Sequence, residues 1–239
     1  MSNLTSGKIP VKKAEVVFYK LRGKDYVRSA PNLFKTLNFE NSKGYQFLLS
    51  SIISKTIRLH LDPIIPYPSD IPMQDKLKKK VLAYVQDGCK CPEDWIKHAW
   101  MISRFNFSSS HGYENEKWVS KIRIIRKSSK RINIKVPSFV PARSIDTPWH
   151  THTILCKIAM SVCYRKTGAS IGSAITEFTF PYNKVKVPTL LIPMILPSPK
   201  MSILVTGLAL EYKANHNYAL TKEEGDKYFQ SAIIHAMGV

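Results

Sequence analysis

The chain has 239 residues, 44 % hydrophobic and 22 % charged, and its 36 Lys and Arg against 17 Asp and Glu give a net charge of +19. Ten Phe, eleven Tyr and four Trp supply enough apolar surface for one large β domain or two smaller ones, which excludes a disordered chain. The charge predicts a negatively charged partner, either nucleic acid or an acidic protein surface.

Met1–Lys13 has no apolar run behind its charges, so no secretory leader is expected. Val16–Lys20 and Asp25–Ser29 read as strands of a hairpin, with Gly23 supplying the positive φ of a tight turn and Pro31 stopping the second strand. Residues 43–61 place Phe47, Leu48, Ile52, Ile53, Ile57 and Leu61 near helical spacing, which predicts an amphipathic helix. A proline-rich connector (62–72) follows. Met73, Leu77, Val81, Leu82 and Val85 then predict a second helix, with Asp70 as N-cap, Pro72 in the first turn and Gly88 as the stop.

From about residue 95 the apolar period changes to two. Strands are expected at 99–107, 117–126, 131–139, 151–163, 173–180, 190–196 and 201–212. Ile154, Ile158, Met160 and Val162 share one face, as do Leu204, Leu208 and Leu210. At the C-terminus, Thr221–Glu224 matches a capping box and would open a helix. Glu224-Gly225-Asp226-Lys227 reads as a turn instead, and a last strand at Tyr228–Ala236, paired onto 201–212, is the reading preferred. The expected fold is therefore mainly β (α+β): residues 1–88 form a hairpin with two helices, and residues 89–239 an antiparallel, immunoglobulin-like β-sandwich. The longest apolar stretch, Thr189–Leu196, is far shorter than the roughly 20 residues a membrane span needs, so no membrane is expected.

Chemistry-bearing motifs are sparse. His150 and His152, two apart at the start of a strand, could reach one ion, but Cys156 lies about 13 Å further along and a third ligand is missing. Cys89-Lys90-Cys91 with His98 is tighter than the usual zinc knuckle. Cys156 and Cys163 fall on opposite faces of one strand. No disulfide framework is visible, which predicts a reducing cytoplasm. Gly168–Gly172 lacks the Lys-Ser/Thr of a phosphate-binding loop and reads as a turn, and Glu114 with Glu116 lacks the setting of a glycosidase pair. No nucleophile elbow is present. No enzyme activity and no cofactor are expected.

The basic residues carry the functional expectation. Nine Lys and Arg and no acidic residue fall between Lys117 and Arg143, in what reads as a hairpin turning at Lys127–Lys130. Arg123, Arg126, Lys127, Lys130 and Arg131 crowd its tip. Lys20, Arg22, Lys24 and Arg28 surround the first turn beside Tyr19 and Tyr26, and Lys76, Lys78, Lys79 and Lys80 follow one side of the second helix. Cations beside aromatic rings suit a phosphate backbone with occasional stacking. A few edge lysines would serve to prevent aggregation, but nine without a counter-charge exceed that need. The expectation is a non-enzymatic module that binds a polyanion. The other reading is a structural or adaptor subunit of a secretion- or phage-related assembly.

Gly7-Lys8, Val17-Phe18-Tyr19, Arg22-Gly23-Lys24, Tyr26-Val27-Arg28 and Pro31 resemble the opening of an uncharacterised domain family common in Bacteroidota. Its members begin with a Gly-Lys … Val-x-Tyr-Tyr … Gly-Lys-x-Tyr-x-Arg-x-x-Pro hairpin. Phe105-Asn106-Phe107, Val136–Pro141 and Leu208-Ala209-Leu210 are similar to later pieces of that family. Lys12 and Lys13 stand where its pattern has a second glycine. The resemblance implies an N-terminal hairpin with helices followed by an immunoglobulin-like β region, and it implies no established activity.

Overall fold

In the computed structural model, the residues described are 16–21, 24–29, 42–65, 71–90, 97–107, 119–128, 131–148, 150–195, 201–214 and 230–238. Two compact units part between Phe39 and Glu40, so both helices belong with the β region rather than with the N-terminal hairpin. In the first unit, β1 (Val16–Leu21) and β2 (Lys24–Ser29) pair antiparallel, Tyr19 opposite Tyr26 and Lys20 opposite Asp25. The turn residues Arg22 and Gly23 lie outside the described residues, as does Asp70.

The second unit opens with α1 (Lys43–Leu61), the range the apolar spacing predicts. Ser42 caps it, its hydroxyl accepting from the Tyr45 amide at 3.1 Å and so satisfying one of the free donors of the first turn. Its buried face differs from expectation: Leu49, Ile53, Ile57 and Leu61 are buried, whereas Phe47, Leu48 and Ile52 are exposed. The proline-rich connector begins with a 3-10 turn, Asp62–Ile64, that buries Ile64 completely. Next comes α2 (Ile71–Lys90), which buries Met73, Leu77, Val81, Tyr84 and Val85. It runs through Gly88 instead of stopping there, at a helix-propensity cost of about 1 kcal/mol.

The expected strand at 99–107 is mostly helical. Lys97–Ile102 is a 3-10 helix that buries Ala99 and Ile102, three apart, against the α-layer core. Arg104 then takes φ 57°, and only β3 (Phe105–Asn106) is extended. The Lys80 ammonium donates to the Ser103 and Arg104 carbonyls at 2.6 and 3.2 Å, so this cation holds a loop. The 117–126 stretch is likewise divided, into a 3-10 turn (Val119–Lys121) and β4 (Arg123–Arg126).

The remaining strands are β5 (Arg131–Val136), β6 (Thr151–Tyr164), β7 (Ser170–Pro181), β8 (Leu190–Ile195), β9 (Ser202–Ala214) and β10 (Gln230–Gly238). They form two antiparallel sheets, ordered β3-β10-β9-β6-β7 and β4-β5-β8. The C-terminal segment is the strand preferred from sequence and pairs with β9. Period-two alternation assigns each side chain to a layer. Ile154, Cys156, Ile158, Met160 and Val162 of β6, with Leu204, Leu208 and Leu210 of β9, meet Ile132, Ile134 and Val136 of β5. Ala159 and Cys163, with Ile203, Val205, Ala209 and Ile233, meet α1 and α2. The molecule's second unit is thus three layers: helices, five-stranded sheet, three-stranded sheet. Covering on both sides explains why β9 is buried without interruption from Ser202 to Leu210. Each fully buried Leu or Ile there contributes about 1.5–3 kcal/mol.

The helical layer is fastened to the β6–β7 hairpin by polar contacts. The Tyr45 hydroxyl donates to the Lys166 carbonyl at 2.7 Å and the Thr56 hydroxyl to the Gly168 carbonyl at 2.8 Å. Gly168 sits at φ 69°, where glycine is favoured, and a Cβ there would meet Ile52 Cγ2 at 2.8 Å. His60 bridges two serines, Nδ1 to Ser161 Oγ at 2.9 Å and Nε2 to Ser170 Oγ at 2.8 Å. Burial lowers the His60 pKa. Burial, and secondarily the Arg123 charge, lowers that of His235. A histidine held neutral in the fold stabilises fully above its unfolded pKa of about 6.5 and loses that contribution as pH falls through the lowered value. The melting temperature should therefore drop between about pH 7.5 and about pH 5, and His60→Gln should flatten part of that drop. A wild-type melting temperature constant across this range would contradict the assignment.

Candidate polyanion-binding face

The outer face of the three-stranded sheet is built by simple alternation. On β5, Ile132, Ile134 and Val136 point into the sandwich and are buried, so Arg131, Asn133 and Lys135 point out. Pairing adds the neighbours: Lys135 stands between Arg123 on β4 and Leu191 on β8, Asn133 between Ile125 and Pro193, and Arg131 beside Ile195. Arg123, Arg131 and Lys135 are exposed, as are Leu191 at 59 % and Ile195 at 74 %. Among the described residues, the face carries cations and aliphatic tips and no carboxylate.

At the hairpin tip the backbone is ordered by its own bonds. The amides of Lys127 and Ser128 donate to the Arg131 carbonyl at 2.9 and 3.2 Å, and the Arg131 amide donates to Ser128 Oγ at 3.1 Å. Arg126 donates from Nε to the Ser128 carbonyl at 3.3 Å. Among the described residues, none of Arg126, Lys127, Arg131 and Lys135 has a carboxylate partner. Arg123 and Lys135 stand directly opposite each other, so the pairing of β4 with β5 brings two cationic side chains together on this face.

The predicted site residues divide between several places. Arg123, Arg126, Lys127 and Arg131 come together on this hairpin, and Lys130 lies outside the described residues. Lys20, Lys24 and Arg28 belong to the β1–β2 unit, and Arg22 lies outside the described residues. Lys79 is exposed on α2, while the Lys78 ammonium lies over the Phe47 ring, 3.7 Å from its centroid, in a cation–π contact. His150 precedes β6 and His152 is exposed within it. Among the described residues, no three His, Cys, Asp or Glu side chains gather as a metal group would require. Of the second possible set, Cys89 lies in the last turn of α2 and Cys91 lies outside the described residues. Cys156 and Cys163 are free thiols, buried in different layers, and burial pushes the Cys163 pKa up to about 12 and that of Cys156 higher still.

Sequence reasoning missed Lys135, which the 131-133-135 alternation could have found, and the exposure of Leu191 and Ile195. Those two sit in the chain's longest apolar stretch, which reads as core. Compared with known proteins, the chain matches no family model, no curated sequence and no solved structure. The N-terminal resemblance therefore rests on its own motif residues. Among the described residues no helix is long and apolar enough to cross a membrane.

Proposed function

We propose that the protein is a non-enzymatic basic module that holds a polyanion, the phosphate backbone of nucleic acid, on the outer face of β4-β5-β8 with little sequence preference. The observation that supports this reading is the group of exposed cations Arg123, Arg131 and Lys135, Arg123 opposite Lys135 and Arg131 four residues before it on β5, on a face where the described residues place no carboxylate. Side chains of this kind neutralise phosphates and release counterions without reading bases. Two free thiols buried in separate layers support a cytoplasmic setting, and the facing antiparallel sheets support an immunoglobulin-like reading of the β region.

A second reading, an adaptor subunit docking on an acidic protein, is favoured by the exposed Leu191 and Ile195, which offer nothing to a phosphate. Filter binding to random DNA and RNA across a salt series separates the two. Under the first, both bind, and log affinity for duplex DNA falls linearly with log salt at a slope of about −4.5 for some five neutralised phosphates. Negligible affinity at low salt sinks the first reading and leaves the second.

A further inference from the structure

Helix α1 has two apolar faces, and the described residues cover only one of them. Leu49, Ile53, Ile57 and Leu61 are buried, yet Phe47, Leu48, Ile52 and Leu59 are 53, 38, 38 and 65 % exposed. An outward helix face ordinarily carries polar residues. Leu48, Ile52, Lys55 and Leu59 recur at intervals of four, three and four, the spacing of a heptad seam with one lysine at a core position. The seam is held ready by the contacts that fix α1 along its length, from Tyr45 on Lys166 to His60 on Ser161 and Ser170.

Its charge is as one-sided as its shape. From Lys43 to Leu61 the helix contains no Asp or Glu, and Lys43 and Lys55 are exposed. Lys78 of α2 adds its ammonium over Phe47. We propose that this seam packs against an amphipathic helix of a partner protein, one with apolar residues at heptad spacing and an acidic residue opposite Lys55. A second copy of the chain fits poorly, because an antiparallel pair centred on Lys55 would set lysine against lysine. Nucleic acid fits poorly too, since the seam is aliphatic and the Phe47 ring already carries Lys78. This surface is separate from the β4-β5-β8 face and does not depend on what that face binds.

The test uses the full chain and a synthetic helical peptide of about three heptads, Leu at its core positions and Glu placed to meet Lys55. Fluorescence anisotropy should give a Kd on the order of 10 μM, as suits a seam only about 16 Å long. Leu59→Ser and Lys55→Glu should each weaken binding at least about tenfold, and a peptide with Lys in place of that Glu should recover the Lys55→Glu variant. Both positions are exposed, so unchanged melting curves confirm that the variants fold. Failure of the peptide to bind the wild type, or equal binding by Leu59→Ser, overturns the proposal. Two further results also overturn it: self-association abolished by Leu59→Ser, and displacement of the peptide by a DNA oligonucleotide.

Discussion

Arg123, Arg126, Arg131 and Lys135 changed together to glutamate should lower polyanion affinity at least about a thousandfold and flatten the salt slope by about 3.6, since each neutralised phosphate contributes about 0.9. Arg123, opposite Lys135 in register, and Arg131 stand on the outward face, and Arg126, opposite Ile132, is exposed at the tip of the same hairpin, so reversal makes the hairpin anionic while leaving Ile124, Ile132 and Ile134 in the sandwich. All four side chains are exposed, and surface changes of this kind ordinarily move stability by less than about 0.5 kcal/mol. The melting temperature of the variant is the control for folding. Reversal of Lys76 and Lys79 on α2 should cost far less, because those lysines lie on the other outer layer. Equal losses from both sets would mean that net charge alone, and no particular face, determines binding.

Gly207→Ala should destabilise the protein by about 1–3 kcal/mol, the range for a methyl forced into a packed core. Gly207 lies in the middle of β9, on the face turned to the helices, and a Cβ there would overlap Ile64 Cδ1 and approach Leu61 Cδ1 to 3.3 Å. Ile64 must shift to make room. It is fully buried, its carbonyl accepts from the Ser231 hydroxyl, and the Asp62 carbonyl closes the same turn on the Ile65 amide. The missing side chain is therefore the socket for the 3-10 turn after α1. Ile64→Val deletes the overlapping methyl and alone should cost about 0.5–1.5 kcal/mol. Combined with Gly207→Ala it should recover part of the loss, giving a coupling above about 0.5 kcal/mol in a denaturation cycle. Strict additivity would show that the strain is relieved elsewhere.

The elements that depend on local periodicity alone were legible. The spacing from Phe47 to Leu61 marks α1 to the residue, and the alternations around Ile158, Leu208 and Tyr228–Ala236 give β6, β9 and β10. Which apolar residues are covered was not legible, because periodicity reports only spacing. Phe47, Leu48 and Ile52 read as core and are exposed; Ile203, Val205 and Ala209 supply a second buried face on β9 that announces the helical layer. The 99–107 stretch failed for a tertiary reason. Ala99 and Ile102 are placed by the α-layer core, and the chain is turned at Arg104 with Lys80 holding its carbonyls. At the candidate site the charge asymmetry was visible in the sequence. Its geometry required the β5–β8 register, which sets Lys135 beside Leu191.

The middle sheet, covered on both sides, separates the α1 seam from the cationic hairpin face by two layer spacings, on the order of 20 Å. If both surfaces bind as proposed, a single copy holds its two ligands back to back, on opposite sides of the middle sheet.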